Sequence, residues 1–239
     1  MSPLLRTRIA IFLAIFLLAF SVRFLTMEFM KTHLNDASWF QFASYEMFEK
    51  RAENILVGRE HPFWIDDPAR TDLVQYPPAF PWWIALIYRA TGDHSVYAVQ
   101  RVQWILDLLL SLFLITGIAV TAFGCRAAIA ASFLTALSPL LAMYGAWPSS
   151  DALTIWLVLG ATWMLLLAAK TSKVRWAIGS GLLLGAACWF RVNPLFLSVT
   201  WAFWAAFLER SGSGCGAADF LLASRRSASF VVWTDRLRQ

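Results

Sequence analysis

IAIFLAIFLLAFSVRFLTM, residues 9–27, decides how the rest of the chain is read. Its one charge is Arg23, and Arg6 and Arg8 stand just before it. A helix needs about 20 apolar residues to cross the hydrocarbon core of a bilayer, and this run supplies them. Ala19-Phe20-Ser21 loosely resembles a signal-cleavage site, but the apolar run continues past it to Met27, which is long for a signal h-region. The stretch therefore reads as an uncleaved signal anchor, and its basic start places the N-terminus in the cytoplasm.

Composition points the same way. Of 239 residues, 59% are hydrophobic and 15% charged, with 13 Trp and 19 Phe, and the mean hydropathy is +0.59. Soluble domains carry about 25% charged residues, so lipid has to be part of this chain's solvent. That excludes an ordinary cytosolic enzyme, a disordered tail and a nucleic-acid-binding module. The net charge of +5 fits basic loops lying against anionic headgroups. Cys125, Cys188 and Cys215 lack metal-ligand spacing, and the first two fall in apolar runs, where cysteine packs as a small apolar residue.

Further apolar runs follow at Ala98–Phe123, Ala127–Tyr144 and Ser150–Ala169, then two shorter ones at Trp176–Phe190 and Leu195–Leu208. The last two reach only about 20–22 Å each as helices, and Asn193-Pro194 between them reads as a break in a hairpin or broken pair. With the long segment from Glu28 to Tyr97 outside, the inner connections hold Arg6 and Arg8, then Arg126, then Lys170, Lys173 and Arg175, then Arg210. Every short inner connection is basic, as the positive-inside tendency expects. The expected fold is an all-α polytopic transmembrane helical bundle of about six passes, with a long outer-face loop of interfacial amphipathic helices. Residues 1–210 form the membrane-embedded domain, with residues 28–97 as its outer loop. Residues 211–239, opening on Ser211-Gly212-Ser213-Gly214, read as a flexible or aberrant tail, the mark of a fragment or a reading-frame change.

The outer loop holds ten acidic residues and six Lys or Arg. Asn35-Asp36 precedes a helical pattern over Ala37 to about Lys50, and either residue suits a helix start. Tyr76-Pro77-Pro78 is expected to be extended, because the residue before a proline is pushed out of the α region. Phe80, Trp83, Ile84, Ile87 and Tyr88 then follow helical spacing, with Trp82 and Trp83 suited to the headgroup boundary. The loop reads as a shallow cap on the outer face.

Five charged groups fall at that face: Arg23, Asp36, Arg101, Asp151 and Arg191. Charge at membrane depth is costly and marks function. Each also has a plainer reading: Asp36 and Asp151 as helix caps, Arg23 and Arg101 as side chains reaching headgroups, Arg191 as a lipid-phosphate ligand. Asp107 lies deeper. It continues a polar stripe, Gln100, Gln103, Asp107 and Ser111, that has to face other helices. Gly181 and Gly185 fit close helix packing. His33, His61 and His94 show no ligand pairing, and Asp66, Asp67 and Asp72 read as an exposed acidic turn rather than a cation loop.

One carboxylate and several arginines at an outer interface suit a lipid-linked phosphate ester. Guanidinium groups match phosphate oxygens bidentately and stabilise the charge that gathers on a leaving phosphate. A carboxylate across from them can take the proton of an attacking hydroxyl. Asp36 is then the base and Arg191 the leading phosphate partner, with Arg101 or Arg23 assisting.

In order along the chain, Arg23, Asp36, Ala43, Tyr76-Pro77-Pro78 with Pro81, Leu86-Ile87-Tyr88, Gly92, Arg101 with Gln103, Ser138-Pro139, Tyr144, Ser150-Asp151, Gly181, Gly185, Arg191 and Pro194 resemble the GT-C membrane glycosyltransferases. The protein mannosyltransferase-like and aminoarabinose-transferase-like branches are the nearest in layout, and the resemblance covers about residues 8–208. It implies a polyprenyl-phosphate sugar donor, a hydroxyl acceptor on a lipid, glycan or protein, and inverting transfer in a cytoplasmic (inner) membrane. Asp36 corresponds to the family's essential acidic residue, and Arg23, Tyr76, Arg101, Asp151 and Arg191 are the expected substrate-binding residues. No cofactor or metal ligand set is expected, and no nucleic-acid partner. Two departures stand out: Ala37 replaces the second acidic residue of many relatives, and many relatives continue beyond six spans. A transporter or flippase, and a non-catalytic membrane subunit, are the rival readings.

Overall fold

The computed structural model describes residues 3–34, 36, 42–60 and 77–210, all helix and short connections with no strand among them. Helices α1 (Pro3–His33), α2 (Phe42–Leu56), α3 (Ala79–Thr91), α4 (Val96–Phe123), α5 (Cys125–Leu137), α6 (Pro139–Ala146), α7 (Ser150–Thr171), α8 (Val174–Phe190) and α9 (Pro194–Arg210) follow in chain order. α1, α4 and α7 are long and apolar enough to cross a membrane, and the bent pair α5–α6 makes a broken fourth span or a re-entrant loop. α8 and α9 have 17 residues each and are separated at Arg191–Asn193, so the break expected at Asn193-Pro194 is present. Large apolar side chains such as Leu17, Leu25, Phe113, Leu134 and Leu182 stay on the surface, where lipid rather than water is their favourable solvent. The chain is a multi-pass helical membrane protein.

Three departures from the sequence reading have local causes. α1 runs beyond Met27 to His33, because no breaker precedes Asn35 and because Met30 and Leu34 find buried sites. The single run expected over Ala127–Tyr144 is bent by 60° at Ser138-Pro139. Pro139 has no N–H to continue the ladder, and Ser138 starts the new helix by accepting a hydrogen bond from the Leu141 N–H at 3.3 Å. Pro78 is αR (φ −73°, ψ −18°) rather than extended, since Ala79 follows it and the restriction ends at Pro77.

α2 continues past Lys50 to Leu56, with buried Ala52 facing its neighbours, and the chain then turns at Gly58, whose φ is +73°. The start expected at Ala37 lies outside the described residues. The apolar face of α3 is turned into protein rather than lipid: Phe80, Ile84, Ile87 and Tyr88 are buried in one cluster with Tyr45 and Ala52 of α2, Val99 of α4, and Ala152, Leu153 and Trp156 of α7. α2 and α3 therefore form a cap seated on the first turns of α4 and α7. Arg126 follows the α4–α5 turn at the opposite end, where the Lys170 ammonium donates to the Thr121 carbonyl. The helices thus have a cap end and a basic end.

Candidate active site

At the cap end a series of hydrogen bonds ties the helices together. Gln100 Nε2 donates to the Met27 carbonyl of α1 at 3.4 Å, and Gln103 Nε2 donates to the Ser149 carbonyl ahead of α7 at 2.8 Å. Both glutamines are fully buried, and with Asp107 and Ser111 they form the inward stripe read from the sequence. That stripe fixes the cap-end turns of α1, α4 and α7 at one level.

The expected site residues separate into a buried set and a rim set. Arg23 is fully buried, with Nε donating to Asp107 Oδ2 at 2.8 Å and Nη1 to the Thr135 carbonyl at 3.4 Å. Asp107 also accepts from Ser111 Oγ at 2.5 Å and Trp156 Nε1 at 3.2 Å, so side chains of three helices, its own included, bond its carboxylate. α6 approaches this group through Gly145, where a β-carbon would stand 2.6 Å from the Asp107 side chain. Arg23 Nη2 is buried without a hydrogen-bond partner, and at full burial Arg23 presents no surface to a phosphate; the pair reads as a structural link between helices.

The rim set is different. Arg191, in the turn between α8 and α9, grips Asp151 side-on: Nε to Oδ1 at 2.7 Å and Nη2 to Oδ2 at 2.8 Å, with Ser150 Oγ accepting from Nε at 3.3 Å. Arg101 donates Nη2 to Asp93 Oδ2 at 2.6 Å and Nε to the Tyr97 carbonyl at 3.3 Å. The Arg191 and Arg101 side chains are 43% and 60% exposed, so each keeps donors within reach of a ligand. Arg101 leaves α4 about 160° around the axis from Gln103, and among the described residues no hydrogen bond or ion pair joins it to Arg191. The two arginines share an end of the molecule without sharing a contact.

Asp36 is exposed just past the end of α1, its backbone N–H donating to the His33 carbonyl at 3.0 Å. Two turns earlier on α1, Glu28 and Lys31 line a cavity of about 260 Å³ together with Asp93, Gln100 and Arg101. Tyr76 lies outside the described residues, as do His61, Asp66, Asp67 and Asp72. Among the described residues no three His, Cys, Asp or Glu side chains gather as a metal set.

Sequence reasoning missed Asp93, Lys31 and a polar link inside the cap. Asp93 follows Gly92, whose φ of +70° ends α3, and Ser95 restarts the chain as the N-cap of α4. A helix stop and start so close together marks a tight turn, which was the available signal for Asp93. In the cap, Tyr88 Oη donates to Glu49 Oε1 at 2.6 Å and lies 3.4 Å from Tyr45 Oη. Burial holds both phenols well above the usual tyrosine range; for Tyr88 its neighbours Tyr45 and Glu49 add to the rise, whereas for Tyr45 the hydrogen bond to Tyr88 opposes it. His94 stacks on the Tyr88 ring at 4.9 Å and places Nδ1 2.9 Å from Glu53 Oε1. No periodicity in the sequence pairs these residues, which lie some 40 positions apart.

Comparison with curated proteins and with solved structures finds no match. The model of one family does match, over residues 75–214, a stretch that holds Arg101, Asp151 and Arg191 and begins after Arg23 and Asp36. That stretch is more than half of the chain, and it runs through α3 to α9 of a multi-pass helical protein whose cap end carries the exposed arginines; the chain belongs to the dolichyl-phosphate-mannose-protein mannosyltransferase family, a family of membrane glycosyltransferases.

Proposed function

We propose that the chain acts as a GT-C-type glycosyltransferase, moving a sugar from a polyprenyl phosphate to a hydroxyl of a lipid, glycan or protein acceptor. The reaction takes place at the outer face of a cytoplasmic membrane, with the N-terminus inside. The observation that supports this reading is the cap end, where exposed Arg101 shares a cavity with Glu28 and Lys31 of α1 and Arg191 stands half exposed in the α8–α9 turn, in a chain of this family.

The acceptor oxygen attacks the anomeric carbon from the side opposite the phosphate, and the bond from that carbon to the phosphate oxygen breaks. Attack from the opposite side inverts the configuration. The hydroxyl proton passes to the Asp36 carboxylate. Polyprenyl phosphate leaves with an added negative charge, which a guanidinium exchanging its Asp151 or Asp93 partner for phosphate stabilises. Lys31 adds a second cation beside Arg101 in the small cavity. The apolar groove of about 690 Å³ between α1, α4 and α7, lined by Phe12, Phe16, Leu109, Leu112, Phe113 and Trp163, suits the prenyl chain below the headgroup. No step calls for a metal.

Asp36→Asn tests the assignment. In proteoliposomes of the purified chain with a polyprenyl-phosphate mannose donor, we expect transfer to fall by about 10²–10⁴-fold, the usual worth of a general base. Transfer near the unsubstituted rate removes Asp36 from that role.

A further inference from the structure

α3 carries a second, smaller face outside the core. Trp82, Leu86 and Arg89 follow one another at i, i+4 and i+7 and so form a single stripe. With Ile55 and Leu56 at the end of α2 they line a depression of about 540 Å³, whose remaining wall includes Tyr88 and His94. Leu86 is 43% exposed although it sits in this protein's most apolar cap helix.

Arg89 is unlike the arginines around it. Arg51 is held by Glu60 at 3.3 Å and Arg101 by Asp93 at 2.6 Å. Among the described residues no hydrogen bond or ion pair engages the Arg89 side chain. Two carboxylates of the cap are already used: Glu49 accepts from Tyr88, and Glu53 faces His94. An unengaged guanidinium therefore stands beside a slot that is apolar along Ile55, Leu56, Trp82 and Leu86 and polar toward Tyr88 and His94, at the cap end of the molecule.

The geometry points to a binding site for an anionic membrane lipid. Its acyl chain lies between Trp82 and Leu86 on one side and Ile55 and Leu56 on the other, and its phosphate meets Arg89. Charge complementarity selects the occupant: one cation with no internal partner, set in the polar part of a slot whose other part is apolar, matches a phosphate at the end of an apolar chain. A tryptophan beside it is the residue type that sits well at the headgroup level. The volume is within the range of about 300–1,000 Å³ typical of ligand sites. The site is separate from Asp36, Arg101 and Arg191, and it stands whether or not the chain transfers sugar.

The test is photo-crosslinking in nanodiscs of phosphatidylcholine, using phosphatidylglycerol with a diazirine on its acyl chain, read by mass spectrometry of the labelled peptides. We expect adducts on the peptides bearing Ile55 and Leu86, an about fivefold loss of them in Arg89→Gln, and retention in Arg89→Lys. Leu86→Glu should remove them as well, through the chain rather than the headgroup, and circular dichroism checks that each variant keeps its helices. Equal labelling by a diazirine phosphatidylcholine, labelling unchanged in Arg89→Gln and Leu86→Glu, or displacement of the probe by inorganic phosphate alone overturns the proposal.

Discussion

Arg23 and Arg191 each form a short bond to an aspartate, at 2.8 and 2.7 Å, and they serve different ends. The first pair is shut between helices, with both oxygens of its carboxylate bonded by neighbours. The second is side-on, half exposed, and held at a turn. In low dielectric, removing one partner strands a charge that nothing solvates. At the rim water takes over, and the same removal costs little. An arginine in a membrane protein is therefore read from what surrounds its partner, and from its exposure, before any role in chemistry is assigned to it.

The sharpest way to break that comparison is to delete one carboxylate from each set. Asp107→Ala should lower stability by about 3–5 kcal/mol in a reversible unfolding assay in mixed micelles, whereas Asp93→Ala and Asp151→Ala should each cost about 1 kcal/mol or less. The double variant Arg23→Met with Asp107→Leu should recover most of the loss, since apolar replacements of a buried pair are often neutral. A double variant no better than Asp107→Ala alone would mean that the pair contributes more than mutual neutralisation.

A smaller effect comes from the glycine that lets α6 approach. Gly145→Ala places a methyl group where Asp107 stands, 2.6 Å away, and should cost about 1–3 kcal/mol by the same assay. Gly181→Ala is the control, because a β-carbon there meets nothing within 4 Å. Equal effects at the two glycines would contradict the tight packing around the buried pair.

The cap gives a milder, pH-dependent signature. Burial raises the Tyr45 and Tyr88 phenols above the ordinary value of about 10, so above that pH the folded chain keeps protons that the unfolded chain loses. Their contribution to stability is present below about pH 10 and declines as pH rises past it. Spectrophotometric titration at 295 nm should accordingly find two of the five tyrosines silent until the protein unfolds. Ionisation of all five in the folded state would contradict the buried phenols.

Much of the architecture was legible in the sequence, because lipid imposes length and apolarity on each crossing. α4 and α7 appear at nearly the expected positions, and Asn193-Pro194 marks the break it was read to mark. The bend at Ser138-Pro139 was visible as a serine cap followed by a proline, yet the apolar count alone merged the two pieces. The inward stripe on α4 was legible too, since its four polar residues share one helix face. Their partners were not. Arg23 meets Asp107 across 84 positions and Arg191 meets Asp151 across 40, and neither spacing nor composition says which arginine closes on which aspartate. The same limit hid the face of α3: helical spacing showed that it was amphipathic, and only packing shows that protein rather than lipid covers the apolar side.

The account rests on rim arginines that can release an aspartate and take a phosphate. Binding of a polyprenyl phosphate without sugar, measured for the reconstituted chain, tests this most directly. Arg101→Gln and Arg191→Gln should each raise the Kd about tenfold, the worth of one charge-assisted hydrogen bond. A Kd unchanged in both variants would contradict the account.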